Sequence, residues 1–324
     1  MKAILCKTYG LPSTLVLEDI VSPQPKEKEV LVTLKACGVN FPDTLIIQGL
    51  YQFKPALPFT PGSDIAGIVK AIGEGVKHLK VGDEVFGFVA HGGFAEEVIV
   101  PSNACFLKPK GMDFATAASF MMAYGTSYHA LKDRAQLQAG ETILVLGASG
   151  GVGLAAVELA KLMGAKVIAA ASSDDKLALC REYGADEIIN YNTEDLKTRL
   201  KELTDGKGVD VVYDPVGGKY SEPALRSMAW EGRFLVVGFA AGDIPKIPLN
   251  LALLKGCSIV GVFWGGFVMK TPKKNMQNTI ELMTLYAEKK LKPHIYGVYP
   301  LADTALALDE MMHRRVKGKI VIGM

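Results

Sequence analysis

The residues with the clearest chemical use are three glycines. Gly147, Gly150 and Gly153 recur at every third position in Glu141-Thr-Ile-Leu-Val-Leu-Gly-Ala-Ser-Gly-Gly-Val-Gly153. They lie between an apolar run that reads as a strand, Thr142–Leu146, and a helix-compatible segment, Leu154–Met163. In such a turn the first glycine permits the bend, the second lets backbone approach a pyrophosphate, and the third lets helix and strand pack closely. The helix start adds unpaired N–H groups and the positive end of its dipole. The chemistry implied is dinucleotide binding on Ser149, Gly150, Gly151 and Val152. Glycine is also the default residue of any tight turn. The dinucleotide reading therefore depends on the turn sitting inside a repeating strand–helix pattern.

The next strand, Lys166–Ala171, runs into Ser172 and Ser173, with Lys176 close behind. An NAD site wants a carboxylate there for the ribose hydroxyl, whereas small hydroxyls and a cation suit a 2′-phosphate. NADPH is the expected cofactor. The other readings stay open: Ser173 or Asp174 could cap the following helix, Lys176 could be solvated, and Asp174 or Asp175 could reach a ribose. Gly238, Phe239, Phe263, Trp264 and Gly265 follow later strand ends, where ligands of such sheets sit, and are expected to wall the nicotinamide and its acceptor. Phe263 and Trp264 read equally as an apolar dimer edge. His91 and His129 are isolated, and His129 reads as structural. Asp43 reads as an orienting or turn residue, not as a base.

The elements that must position these residues fall into two patterns. From Lys2 to about Leu107 the segments are short, β-branched and punctuated by turns, as in Val30–Lys35, Ser63–Ile72, Asp83–Phe88 and Ala95–Val100. They predict a small β-barrel or sandwich. After Phe114, apolar strands alternate with helices. Strands are expected at 166–171, 187–189, 209–213, 233–237 and 258–263, and helices at 174–183, 194–203 and 220–228. That alternation predicts a parallel sheet covered on both faces. Two helices, 275–289 and 304–315, and a closing strand, 319–322, read as a return to the first domain.

Composition excludes several classes. With 324 residues, two cores fit. A hydrophobic share of 49% and a charged share of 22% are those of a globular protein. A net charge of +2 without a basic stripe gives no case for nucleic acid. The five cysteines are odd in number and never form a CxxC pair, which points to reduced thiols. The expectation is a cytoplasmic protein with no presequence and no bilayer-spanning run.

The whole chain resembles the medium-chain dehydrogenase/reductase superfamily, in its zinc-independent NADPH:quinone oxidoreductase branch, which includes zeta-crystallin. The resemblance is carried by Cys37-Gly-Val-Asn-Phe-Pro-Asp43, Pro61-Gly-Ser-Asp-Ile-Ala-Gly67, Val81-Gly-Asp-Glu-Val85, Tyr124-Gly-Thr-Ser-Tyr-His-Ala-Leu131, the Gly140–Gly153 block and Gly318-Lys-Ile-Val321. Glu158 departs from the Gln more common in that branch. The resemblance implies an α/β fold: a GroES-like β-rich catalytic domain (1–123 and 266–324) and a Rossmann, doubly wound nucleotide domain (124–265). It implies that Ser172, Ser173, Lys176 and Tyr191 hold the 2′-phosphate, that Asn40 and Thr126 lie around the nicotinamide end, and that Tyr51 borders the substrate cleft. Tyr51 could then donate to a developing oxyanion; its alternative is an amphipathic rim residue. Lys319 is expected to reach the cofactor phosphates, or else to snorkel at the surface.

In the zinc alcohol dehydrogenases of the superfamily, the turn at Cys37–Asn40 would end in a ligating Cys, and Gly62-Ser63-Asp64 would read Gly-His-Glu. The third ligand, near Ala117–Met122, is also missing, as is the four-cysteine lobe near Ala90–Gly93. No metal is therefore expected. Hydride transfer from NADPH to quinones or related α,β-unsaturated carbonyls is the expected reaction. Two alternatives remain at this point: enoyl-thioester reduction, with Lys54, Lys270, Lys273 and Lys274 as a basic groove, and a non-catalytic NADPH-binding crystallin or RNA-binding protein. A homodimer through the edge strand Ser258–Phe263 is expected, with a small-molecule acceptor, no nucleic acid and no membrane.

Overall fold

A computed structural model describes residues 1–324. The chain divides into two compact units, Met1–Met122 with Pro293–Met324, and Ala123–Lys292.

The first unit is built on a seven-stranded sheet. Its order is Ile295–Pro300, Lys319–Gly323, Glu29–Val39, Asp64–Ile72, Glu84–Phe88 and Cys105–Leu107, with Glu97–Pro101 also paired to Glu29–Val39. All pairs are antiparallel except Ile295–Pro300 with Lys319–Gly323. The long strand Glu29–Val39 is largely buried on both faces, which explains its near-continuous apolar sequence. It pairs with Glu97–Pro101 through residues 29–33 and with Lys319–Gly323 through residues 36–39. Gly38 is required where the short helix Phe114–Ala118 lies against it, because a Cβ would stand 2.1 Å from the Ala118 carbonyl oxygen. Val30, Val32, Leu34, Ile65, Phe94 and Ile320 form the core. Each such side chain contributes about 1.5–3 kcal/mol by burial.

The second unit is a six-stranded, all-parallel sheet in the order Glu187–Asn190, Lys166–Ala171, Thr142–Leu146, Val209–Asp214, Met228–Val236, Ser258–Gly261. The chain fills one side of Thr142–Leu146 first and then the other. The strand order therefore reverses between Thr142–Leu146 and Val209–Asp214, the position at which doubly wound sheets bind ligands. Ile143, Leu144, Val145 and Leu146 are fully buried, as a strand covered by helices on both faces must be. Ser127 donates to the Val152 carbonyl (2.7 Å) and lies 2.9 Å from the buried Tyr213 hydroxyl, tying helix Met121–Tyr128 to this sheet.

The second division of the chain comes later than the expected 265/266 boundary, because helix Pro272–Ala287 packs with the second unit. Asn278 donates to Asp133 at 2.8 Å, and Glu281 accepts from Tyr128 at 2.6 Å and from Lys132. The edge strand ends at Gly261 instead of Phe263; Phe263 precedes the helix Trp264–Lys270.

Candidate functional site

In the second unit, strand Thr142–Leu146 delivers the chain into the glycine turn. Gly147 has φ +57°, and a Cβ there would meet Val216 Cγ2 at 2.7 Å. A Cβ on Gly153 would stand 2.2 Å from the Gly147 carbonyl oxygen, so helix and turn touch only because this residue has none. Gly150 is different. It caps the 12-residue helix Gly151–Leu162 in extended backbone (φ −76°), and the nearest protein atom to a Cβ there is 3.4 Å away. The protein alone leaves room for a side chain at Gly150. No side chain caps this helix, so its first N–H groups remain available to an anion. Ser149 is buried beside the turn.

The neighbouring strand, Lys166–Ala171, ends at the second cluster. Lys176 Nζ donates to Ser172 Oγ at 3.3 Å, and Tyr191 N–H bonds the Ala171 carbonyl at 3.2 Å. The Tyr191 and Tyr220 rings lie 4.3 Å apart. Ser173 occupies the cap of helix Asp174–Glu182, but its hydroxyl donates to Asp175 and makes no cap bond. Asp174 accepts from Asn190 Nδ2 at 2.8 Å. Both carboxylates that could compete for a ribose are thus engaged within this segment. Ser172, Ser173, Lys176 and Tyr191 are brought together, and a hydroxyl–ammonium pair of this kind suits a phosphate.

At the reversal point, Asp214 Oδ1 accepts from Val216 N–H (2.9 Å) and Gly217 N–H (2.8 Å), and Oδ2 from Ser221 (2.5 Å). Burial raises its pKa. This buried carboxylate shapes the loop over which Gly238 and Phe239 lie; a Cβ on Gly217 would meet Phe239 Cδ1 at 2.8 Å. Thr126 is buried on helix Met121–Tyr128. Phe263 is 57% exposed, whereas Trp264 is only 3% exposed. Trp264 is not an exposed dimer edge: its indole fills the space over Gly125, within 3.0 Å of where a Cβ would stand. Gly265 is half-buried. His129 is structural, stacked on Phe267 at 3.8 Å and bonded to Asp133 at 2.8 Å. Lys274, one of four lysines considered for a basic groove, is paired with Asp133 at 2.9 Å. Glu158 accepts from Tyr124 (2.7 Å) and from Lys292 N–H (2.8 Å), a packing role away from the glycine turn's open end.

In the first unit, Cys37, Asn40, Asp43, Asp64 and Lys319 are all buried together. Asp43 Oδ2 accepts the Asn40 N–H at 2.7 Å, fixing the start of helix Phe41–Ile46. Asn40 Nδ2 donates to Gly38 O and to Asp64 Oδ2, each at 3.3 Å. Asp64 also accepts from Met122 N–H at 3.1 Å. Lys319 Nζ donates to Val39 O at 2.9 Å and to Asn40 Oδ1, and lies 3.7 Å from Asp64 Oδ2. Lys319 is not the surface lysine of the alternative reading: its ammonium is bonded inside the first unit, because a buried cation needs local acceptors. Burial pushes Asp43 up to about 7 and Asp64 to about 6, outweighing the attraction of Lys319, and pulls Lys319 down. Tyr51 is half-buried, and its phenol is raised by burial and by the charge of Asp43. Nearby, the His91 ring stacks on Phe53 (6.0 Å) and meets the Phe59 edge (6.1 Å).

These residues do not fit a zinc. Of the positions considered, Asn40 and Ser63 are neutral oxygen or nitrogen groups bonded within the unit, and the Cys37 thiol is held protonated by burial. A Cβ on Gly93 would meet Cys37 Sγ at 2.6 Å, so the sulfur is closely packed. The Lys319 ammonium faces the same groups. No group of three His, Cys, Asp or Glu residues could hold a metal ion.

The Asp43–Asp64–Lys319 cluster was missed from sequence, although an isolated Lys opening the apolar strand Lys319–Gly323 and an Asp opening Asp64–Ile72 were available signals.

Comparison with known proteins agrees with this geometry. The family model described as the alcohol dehydrogenase GroES-like domain matches residues 26–110, and that described as zinc-binding dehydrogenase matches residues 151–284. The chain is 40% identical over 325 residues to the quinone oxidoreductase-like protein 2 homolog of Nematostella vectensis, covering 99% of this chain and 88% of that protein. It is 37% identical to the quinone oxidoreductase of Rattus norvegicus, covering 99% and 97% of the two chains. The structure of Escherichia coli quinone oxidoreductase complexed with NADPH matches all of both chains with a TM-score of 0.93 and 31% identity. By sequence across its whole length and by the architecture of both units, the chain belongs to the quinone oxidoreductase branch of the medium-chain dehydrogenase/reductase superfamily.

Proposed function

We propose that this protein is an NADPH-dependent quinone oxidoreductase that works without zinc. The observation that carries the reading is Gly150. It is a glycine for which the protein itself has no steric need, at the start of an uncapped helix, beside a hydroxyl–ammonium cluster. That combination is explained by a pyrophosphate on the turn and a 2′-phosphate at Ser172, Ser173, Lys176 and Tyr191. The quinone oxidoreductase relatives and the NADPH-complexed neighbour support the same cofactor and acceptor.

Bound NADPH supplies the hydride; the chain's own residues bind, orient and exclude water. Ser149, Gly151 and Val152 complete the phosphate turn. Asn40, Thr126, Gly238, Phe239, Phe263 and Gly265 serve the nicotinamide end, and Tyr51 borders the acceptor. The hydroquinone product needs one proton besides the hydride. The raised phenol of Tyr51 stays protonated at neutral pH and can donate a hydrogen bond to the quinone oxygen as charge builds on it, while the product's proton comes from solvent. The side chains available at the ligand positions suit reduction of an already activated carbonyl, which needs no Lewis acid.

The exposed edge strand Ser258–Gly261 carries Ile259 (43% exposed), and Phe263 follows it, a surface that supports a homodimer through this edge. No helix is long and apolar enough to cross a membrane. An acceptor panel tests the function. Oxidation of NADPH with benzoquinone or phenanthrenequinone, unchanged by a chelator, is expected. Turnover of crotonyl-CoA alone, or loss of activity with the chelator, overturns the reading.

A further inference from the structure

Lys319 opens the closing strand of the first unit, only 5% exposed, in a place where an unpaired ammonium would be costly. Its partners come from two separate segments. Val39 O and Asn40 Oδ1 lie at the end of strand Glu29–Val39, and Asp64 Oδ2 lies at the start of the next strand. The strand register makes this meeting inevitable: Ile320 pairs with Val39, and Gly38 pairs with Asp64.

The ammonium also determines a detail that packing alone would leave open. An amide side chain can be turned either way with little change in shape. A lysine can only donate. The Asn40 oxygen must therefore face Lys319, and its NH2 must face Gly38 O and Asp64 Oδ2. Asp64, receiving the Met122 N–H and the Asn40 amide, carries the charge opposite Lys319. Asp43 and Cys37 are the other ionisable groups facing the ammonium.

We propose that Lys319 is a positioning residue for hydride transfer, a buried cation whose ammonium sets the sense of the Asn40 amide and locks it against Asp64. The proposal rests on the reading of Asn40 as a residue at the nicotinamide end. It assigns Lys319 to turnover and not to cofactor affinity.

Three variants separate this from a purely structural role. Lys319→Met leaves the buried Asp64 carboxylate without its counter-ion and is expected to lower Tm by about 10 °C. The double variant K319M/D64N removes both charges together and is expected to regain most of that Tm. In the double variant, NADPH affinity measured by fluorescence titration should stay within about twofold of the parent, while kcat with phenanthrenequinone remains down by about tenfold or more. Lys319→Arg, which can donate to the same acceptors, should keep most of the turnover. A double variant with full kcat overturns the proposal, as does one whose loss lies in NADPH binding. The Asn40 side-chain amide signal in 15N-Asn spectra gives a readout independent of activity: kept in Lys319→Arg and shifted in K319M/D64N relative to Asp64→Asn alone. An unshifted signal in the double variant also overturns the proposal. A parent chain that turns over no quinone refutes the proposed function instead, and the amide signal still decides the role of Lys319.

Discussion

Replacing Gly150 by alanine asks whether the glycine turn exists for the protein or for a ligand. At Gly150 the backbone is extended, and a new Cβ would come no closer than 3.4 Å to any neighbour, the carbonyl oxygen of Gly147. The direct steric cost is therefore near zero. The remaining cost is that of alanine at a helix cap, at most about 1 kcal/mol. A change of that size lowers Tm by only a few degrees in a chain of this length. A methyl group there would nevertheless hold a pyrophosphate off the helix N–H groups. Loss of one or two charge-assisted hydrogen bonds weakens binding by about 2–4 kcal/mol, or roughly thirtyfold or more in Kd. Gly153→Ala is the control with the opposite signature, since its Cβ would stand 2.2 Å from the Gly147 oxygen and the helix must move. Thermal denaturation without cofactor and NADPH fluorescence titration read the two effects separately. Gly150→Ala should fold and bind NADPH roughly thirtyfold or more weakly; Gly153→Ala should lose stability first. Parental NADPH affinity in Gly150→Ala would refute the argument that this turn cradles phosphate.

Lys176→Ala should weaken NADPH binding by about tenfold and leave NADH binding nearly unchanged, because only the former brings a 2′-phosphate to the Ser172–Lys176 pair; equal losses for both cofactors would contradict this. Stability should fall as pH rises from about 4 to 7. The folded state keeps a proton on Asp43, whose pKa is raised from the ordinary 3.8 to about 7, after the unfolded state has released it. The slope is at most about 1.4 kcal/mol per pH unit for this proton. Asp43→Asn should flatten that slope in urea titrations, and an unchanged slope would show that Asp43 is ionised in the fold throughout. Ile259→Lys should convert a dimer to a monomer in sedimentation experiments; a monomeric parent at micromolar concentration would remove the edge-strand dimer.

Local signals were legible in the sequence and long-range ones were not. The apolar strand, the glycine turn and the following helix are contiguous, so Thr142–Leu146 formed as its residues predict, while the helix begins at Gly151, three residues before the expected Leu154, inside the glycine run. The alternation of later strands and helices likewise announced a parallel sheet. The burial of Lys319 is not legible in sequence because its partner Asn40 is 279 positions away, and a lysine in a short strand reads the same whether it reaches a phosphate, a buried carbonyl or solvent. The packing of Trp264 is hidden for a similar reason: a large aromatic just past a strand end suits an exposed edge or a buried site equally, and its place over Gly125 is a tertiary fact. The second unit extends to Lys292 because polar contacts of Asn278 and Glu281 hold helix Pro272–Ala287 there, and helical periodicity carries no record of which sheet a helix will join.

The measurement closest to the central claim is steady-state oxidation of NADPH by phenanthrenequinone, with NADH and a metal chelator in parallel. Quinone-dependent oxidation is expected, with kcat/KM at least about tenfold higher with NADPH than with NADH and no effect of the chelator. Tight NADPH binding without oxidation by any quinone would contradict that claim.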